Sequence, residues 1–347
     1  MKAAMCLDFL VLFLLLLYSP PLLFRPQEVS TSCPRPCACR DHLADCGARG
    51  LRHVPRGFPH DTWMLELGAN NLSRVGSRAF GGLWSLRVLV LTGNQIEDLQ
   101  PQAFFSLSFL ERLELSWNRL SLLPADFSWG LSALKELRLA HNSLSHIPGY
   151  SFQHLDNMEK LDLSYNQLLW LSPGVFRGLF RLRLLSLRNN KLSVVQRGSL
   201  DMLPALEVLQ LSNNNITQVD GAALAPLYSL AVLALDGNSL SHLKFKTFTS
   251  LHTTATHLQL AGNPWSCDCD LHRVFTKILY VRHLHIDDYQ NVSCLEPPQL
   301  SGAALARVDS QLCVAETATG LVITVTVVGT VVAAVVMSER NRKRNRG

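Results

Sequence analysis

None of the spacings that carry catalysis occurs in this sequence: there is no Ser/His/Asp arrangement, no glycine loop built to cradle phosphate and no His-Glu-x-x-His pair. The histidines are scattered. His283 and His285, near Asp287 and Asp288, are the densest set that could ligate a metal, and they read equally well as solvated surface residues. No enzymatic activity, metal or cofactor is expected, which leaves binding. Surplus charge is scarce as well. The net charge of +5 belongs almost wholly to residues 338–347 (SERNRKRNRG), where five bases face one acid, leaving about +1 for everything else. A chain this nearly neutral has no electrostatic footprint for nucleic acid.

Charge is missing altogether from residues 317–337 (TATGLVITVTVVGTVVAAVVM). An uncharged run of that length spans a bilayer core as one helix, and in lipid the backbone must satisfy its own hydrogen bonds whatever the helix propensity of Val and Thr. The basic decamer after it places 338–347 in the cytosol and the N-terminus outside, and it argues against a lipid anchor, whose signal would end on the hydrophobic tail. At the other end, Lys2 and the apolar run FLVLFLLLL over 9–17 fit a secretory signal peptide across 1–28. The expected location is the plasma membrane, single-pass type I. Three acceptor triplets, at Asn71, Asn215 and Asn291, agree with passage through the secretory pathway.

Between these ends lies a ladder. Asn70, Asn94, Asn118, Asn142, Asn166, Asn190, Asn214 and Asn238 recur every 24 residues, and Asn263 follows after 25. A fixed period of this kind means a solenoid of stacked units. Each unit reads L-x-x-L-x-L-x-x-N, with leucines such as Leu89 and Leu91 alternating inward along a short strand that stacks parallel on the next. The Asn amide, both donor and acceptor, suits the backbone groups that the turn after the strand leaves unpaired inside the coil. Further round, Phe80, Phe104, Phe127, Phe152, Phe176 and Phe248 fill the convex side, with Leu200 and Leu224 in two units. Phe127 comes one residue early, so its unit (ADFSWGL) is expected to deviate there.

An open stack exposes apolar ends, which need caps. Cys33, Cys37, Cys39 and Cys46 precede the units; Cys267, Cys269, Cys294 and Cys313 follow them. In NPWSCDCDL (263–271) two thiols and two aspartates fall within four positions, a pattern open locally to zinc, redox exchange or a staple. In an oxidising compartment the even sets read as disulfides, with three pairings possible for each set of four, although cysteines at C-x-C spacing rarely bridge each other.

With its caps CPRPCACRDHLADC and NPWSCDCDL bracketing the repeats, the chain resembles the extracellular leucine-rich-repeat proteins over nearly all of 33–313. The resemblance implies an α/β-type leucine-rich-repeat solenoid: a curved parallel sheet on the concave face, irregular or short helical segments on the convex side, and disulfide caps. It also implies the pairs Cys33 with Cys39, Cys37 with Cys46, Cys267 with Cys294, and Cys269 with Cys313. The expected organisation is a signal peptide, an N-terminal cap over 33–60, repeats over 61–262, a C-terminal cap over 263–313, one span over 317–337 and a tail over 338–347.

Partner-binding candidates follow from the periodicity. Residues flanking the inward leucines face out of the concave sheet, and in the middle units these are Arg112, Glu114, Glu136, Arg138, Lys160 and Asp162, with apolar positions to either side. Arg112 and Arg138 are the cationic candidates there, although opposite signs alternate so that the charges neutralise one another across the strands. Just before the ladder Asn, three successive units carry Trp117, His141 and Tyr165, which strands about 4.8 Å apart would stack into a stripe. Clustered exposed aromatics are typical binding anchors. Two functions fit: an adhesion molecule or co-receptor that binds a protein ligand through the repeats, or a regulatory subunit acting through its span and basic tail. The overall plan is similar to the leucine-rich-repeat auxiliary subunits of large-conductance calcium-activated potassium channels. In either case the partner is a protein at the cell surface, with the lipid bilayer as second environment and no oligomeric state assigned.

Overall fold

The computed structural model describes residues 33–249, 251, 253–308, 313 and 324–338. Twelve strands form one curved sheet, and neighbours in it follow chain order. It opens with an antiparallel hairpin, Ala38–Arg40 and Leu43–Asp45, whose two-residue turn Asp41-His42 has both φ positive (46° and 66°). That mirror-image turn matches the right-handed twist of the strands. From Leu43–Asp45 onward every pairing is parallel: Met64–Glu66, Val88–Val90, Arg112–Glu114, Glu136–Arg138, Lys160–Asp162, Leu184–Ser186, Val208–Gln210, Val232–Ala234, Thr256–Gln259 and Leu284–Ile286. In each repeat strand from Met64–Glu66 to Val232–Ala234 the middle leucine is buried, so the period-two alternation that the sequence carries sets which face looks inward.

The ladder asparagines are buried in all nine units. Asn118 shows the pattern: Nδ2 donates to Leu115 O of its own unit and to Leu91 O of the preceding one, both at 3.0 Å, while Oδ1 accepts from Ile96 N, also of the preceding unit, at 3.0 Å. Each amide thus closes its own turn and ties that turn to its neighbour. On the convex side Phe80 and Phe104 stack at 8° between planes, whereas Phe104 and Phe127 meet edge-on at 77°. The early Phe127 breaks the stack, and Ser128 is fully buried beside it with its hydroxyl unpaired. Lys246–Thr249 is a single helical turn on this side; most convex segments are turns.

The pattern NPWSCDCDL resolves residue by residue. Asn263 ends the ladder, with Oδ1 accepting from Leu240 N. Trp265 closes the core with no exposed surface and donates Nε1–H to Leu260 O. Asp268 caps the helix Cys269–Tyr280 by accepting from Leu271 N at 2.7 Å, and Leu271, Phe275 and Ile278 on that helix seal the end of the stack. The structure joins Cys33 to Cys39, Cys37 to Cys46, Cys267 to Cys294 and Cys269 to Cys313. Among the described residues no group of three or more His, Cys, Asp or Glu is placed to hold a metal.

The expected signal peptide, Cys6 and residues 339–347 lie outside the described residues, as do 317–323 of the expected span. The remainder of that span belongs to a helix over 324–338 whose side chains are all exposed. No helix among the described residues is long and apolar enough to cross a membrane.

Candidate functional site: an aromatic edge beside the ladder

In every unit the residue before the ladder Asn has left-handed backbone: Ala69, Gly93, Trp117, His141, Tyr165, Asn189, Asn213, Gly237 and Gly262 have φ between 53° and 70°. The turn that lets Asn point inward demands it. Glycine and asparagine tolerate this region, but a bulky side chain there is a true outlier, strained by about 1–2 kcal/mol through crowding of Cβ against the following carbonyl. Three successive units nevertheless carry Trp, His and Tyr. Their rings stack face to face, Trp117 on His141 at 3.7 Å between centroids and His141 on Tyr165 at 4.1 Å, each pair within 11° of parallel. The end rings remain open to solvent, Trp117 at 59% exposure and Tyr165 at 49%. On its far side Trp117 follows Gly93, which has no side chain to cover that face of the indole.

A second exposed row in the same three units was not foreseen from the sequence. Four residues after each ladder Asn stand Leu122, His146 and Trp170, all exposed, with Leu169 beside the last. His146 and Trp170 lie 6.5 Å apart with planes 9° from parallel. The signal was present as a period of 24 at 122, 146 and 170; it was missed because the row lies off the strand, where the L-x-L pattern gives no guidance. In the flanking units this position is Arg74, Asp98, Val194, Gln218 and His242. In this row the exposed large apolar side chains, Leu122 and Trp170, belong to the Asn118 and Asn166 units, with Val194 half-buried in the next.

The concave face of the Asn118 and Asn142 units is committed to itself. Arg112 Nε meets Glu114 at 2.7 Å and Glu136 at 3.7 Å; Arg138 meets Glu136 at 2.6 Å and Glu114 at 3.6 Å. The two cationic candidates thus sit in a closed network of four. A further charge ladder runs along the residues preceding the strands: Arg87, Glu111, Lys135, Glu159, Arg183 and Glu207 alternate in sign, with Glu111 held at 2.9 Å by both Arg87 and Lys135, and Arg183 paired with Glu207 at 2.7 Å. The hydrogen bond from Lys135 is the main reason the Glu111 carboxyl sits below the usual carboxylate range. Alternation at a period of 24 was legible here as well.

The remaining candidates fall elsewhere. Asn71 and Asn215 are exposed, each one residue past a ladder Asn, and Asn291 is exposed in the short 3-10 turn Tyr289–Asn291 of the C-terminal cap. His285 lies beside His257, rings 5.2 Å apart, while Asp287 pairs with His257 at 2.7 Å and Asp288 accepts from the Leu260 and Ala261 amides. Both aspartates are occupied in holding the last strand.

The family description "Leucine rich repeat" matches residues 64–120, 132–192, 180–240 and 204–264, more than half of the chain. Leucine-rich repeat-containing protein 3 of Bos taurus is 46% identical over 85 residues, covering 23% of this chain and 33% of that protein. The match thus spans about a third of that relative's length. Among solved structures, the fold is similar to a chain of the octameric complex of Latrophilin 3 (Lec, Olf), Unc5D (Ig, Ig2, TSP1) and FLRT2 (LRR), with a TM-score of 0.65 and 26% identity over 80% of this chain and 98% of that one. It is also similar to human 5T4 (Wnt-activated inhibitory factor 1, Trophoblast glycoprotein), with a TM-score of 0.57 and 22% identity over 82% and 99%, a likeness of fold alone.

Proposed function

The chain belongs to the leucine-rich-repeat family, and from that premise we propose that it is a cell-surface recognition protein that docks a protein partner on the aromatic edge of its middle repeats. One observation carries this reading. Three stacked rings occupy left-handed positions that other units fill with Gly, Ala or Asn, and two of those rings stay exposed. Strain retained where the rings touch little but one another points to a contact made outside the molecule. In the proposed arrangement a signal peptide over 1–28 is removed, the caps and repeats lie outside the cell, 317–337 crosses the membrane and 338–347 faces the cytosol. The test is proximity labelling in living cells with the full chain and with the double variant Trp117→Ala, Tyr165→Ala. Loss of the prominent labelled neighbours, with the melting temperature unchanged, is expected; an unchanged set of neighbours would dispose of the reading.

A second reading has its own observation. In the exposed helix over 324–338, nothing lies within 4 Å of where a Cβ on Gly329 would stand, and with Ala333 this glycine forms a small-x-x-x-small face suited to another membrane helix. This favours an auxiliary subunit that acts through its span. Replacing 317–347 with an unrelated span separates the two readings: neighbours selected by the edge persist, whereas those selected by the helix vanish.

A further inference from the structure

The turns that carry the aromatic edge contain no acid. In four successive units they read SWNRLSLLP (116–124), AHNSLSHIP (140–148), SYNQLLWLS (164–172) and RNNKLSVVQ (188–196), and none includes a carboxylate. They hold three cations, Arg119, Arg188 and Lys191, all exposed. Acid returns in the units on either side, as Glu97 and Asp98 in TGNQIEDLQ (92–100) and as Asp220 in SNNNITQVD (212–220).

The three cations are also uncommitted. Just before the strands, Arg87, Lys135 and Arg183 are each held by a glutamate within 2.9 Å, and on the concave face Arg112 and Arg138 are closed into their network. Among the described residues Arg119, Arg188 and Lys191 are in no ion pair; Lys191 Nζ meets the neutral Gln167 Oε1 at 3.5 Å. Arg119 and Lys191 each follow a ladder residue by one, so they share a row, three units and about 14 Å apart. Large exposed side chains lie along both sides of that row: Tyr165 before the ladder, and Leu122, Leu169 and Trp170 beyond it.

We infer that the edge takes an acidic segment of a protein partner, with carboxylates on Arg119 and on the Arg188, Lys191 pair and apolar side chains on the rings and leucines between them. This rests on the edge being a recognition surface and names the chemistry of what it recognises. The charge is complementary in sign, and no internal ion pair has to break when these cations meet an external carboxylate. Spacing selects protein over sulfated polysaccharide. Polyanions of that kind are held by dense runs of Lys and Arg. Here exposed leucines and rings separate the cations, and apolar side chains cover such a surface where sulfates do not. An extended strand crosses about 14 Å in about four residues, so a short segment with acids at both ends and apolar residues between meets both cationic points. Glu97 and Asp98 set its position, because they repel acid beyond Arg119. The acidic segment therefore lies over the Asn118 to Asn190 units and stops short of the Asn94 unit.

The test is proximity labelling in living cells with the full chain and paired charge variants. Arg119→Glu with Lys191→Glu should lower labelling of the prominent neighbours about tenfold, and Arg119→Gln with Lys191→Gln should lower it by less. Glu97→Lys with Asp98→Lys should raise it about threefold, since repulsion at that end becomes attraction. All four positions are exposed, and an unchanged melting temperature for each variant shows that folding is intact. A random copolymer of Glu and Tyr added to the medium should compete with the neighbours, and one of Lys and Tyr should not. Wild-type labelling by both charge-reversed variants, while Trp117→Ala with Tyr165→Ala still loses its neighbours, overturns the acidic partner and leaves the recognition surface standing. Neighbours unchanged in that aromatic variant as well remove the surface itself. Loss of wild-type labelling after heparinase treatment of the cells makes the occupant a sulfated polysaccharide and overturns the inference.

Discussion

Two columns one residue apart in the chain meet opposite fates. Asn118, Asn142 and Asn166 turn inward and spend their amides on backbone groups of two units. Trp117, His141 and Tyr165, their immediate predecessors, turn outward at strained backbone and touch little beyond one another. Both columns have the same period, so periodicity alone does not separate structure from function. What separates them is whether each polar or strained group finds its compensation inside the molecule. The ladder does, as does the concave ion-pair network of Arg112, Glu114, Glu136 and Arg138. The aromatic edge finds only the stacking of its own rings, and its end rings stay open to solvent.

The sharpest way to break this comparison is at the ladder. Asn142→Ala removes the donors to Leu115 O and Leu139 O and the acceptor of Leu120 N, all at 3.0 Å and buried. Leu115 O keeps Asn118 Nδ2 and Leu139 O keeps Asn166 Nδ2, so only the Leu120 amide is left without a partner; that, with the loss of the two other bonds, should cost on the order of 3 kcal/mol. A urea midpoint shifted by less than a third of that would mean that water replaces the amide, and the ladder would then be no more committed than the edge.

How far each column was legible beforehand follows from the same physics. Ladder, strands and caps were readable because their residue types are dictated by local demands: an amide where the turn needs donor and acceptor, leucine at every second position, cysteine where an open end must be tied. The stripe at 117, 141 and 165 was readable as a list, but its left-handed backbone was not, because a Trp or Tyr in that region contradicts ordinary preference. The second row at 122, 146 and 170 obeys no strand alternation, and nothing in the units' consensus marks it. The tight commitment of Arg112 and Arg138 to their glutamates needed coordinates as well, since alternation in sequence gives neither distance nor closure.

One residue from Asn142, the next substitution should do less to stability. His141→Gly relieves about 1–2 kcal/mol of left-handed strain and gives up stacking on two rings worth about 0.5–1.5 kcal/mol each. The opposed terms leave a net change between about 1 kcal/mol gained and about 2 kcal/mol lost by urea denaturation, while the Trp117 and Tyr165 rings lose the spacer that holds them parallel. Labelling of partners should fall even so. A loss of stability approaching that of Asn142→Ala would show that the stripe is a structural column after all, and the contrast between the two columns would collapse.

The smallest effect concerns Glu66, a group that stands between commitment and exposure. Its carboxylate accepts from the Gly68 amide at 2.6 Å, which favours the charged form, but burial outweighs that bond, and the charges of Asp45 and Glu114 add to the burial, so its pKa is raised. A carboxyl raised on folding binds its proton more tightly in the native state. The stability it contributes is therefore present below the unfolded carboxylate pKa and is lost as pH rises through the folded value. At neutral pH the charged form is a small net burden, and Glu66→Gln, which keeps the acceptor for Gly68 and removes the charge, should raise the melting temperature slightly. The advantage should shrink as pH falls into the carboxylate range, where wild type becomes neutral too. A variant less stable than wild type at pH 7 would mean that the bond to Gly68 outweighs burial. Glu66 would then belong with the committed groups of the ladder instead of between the two columns.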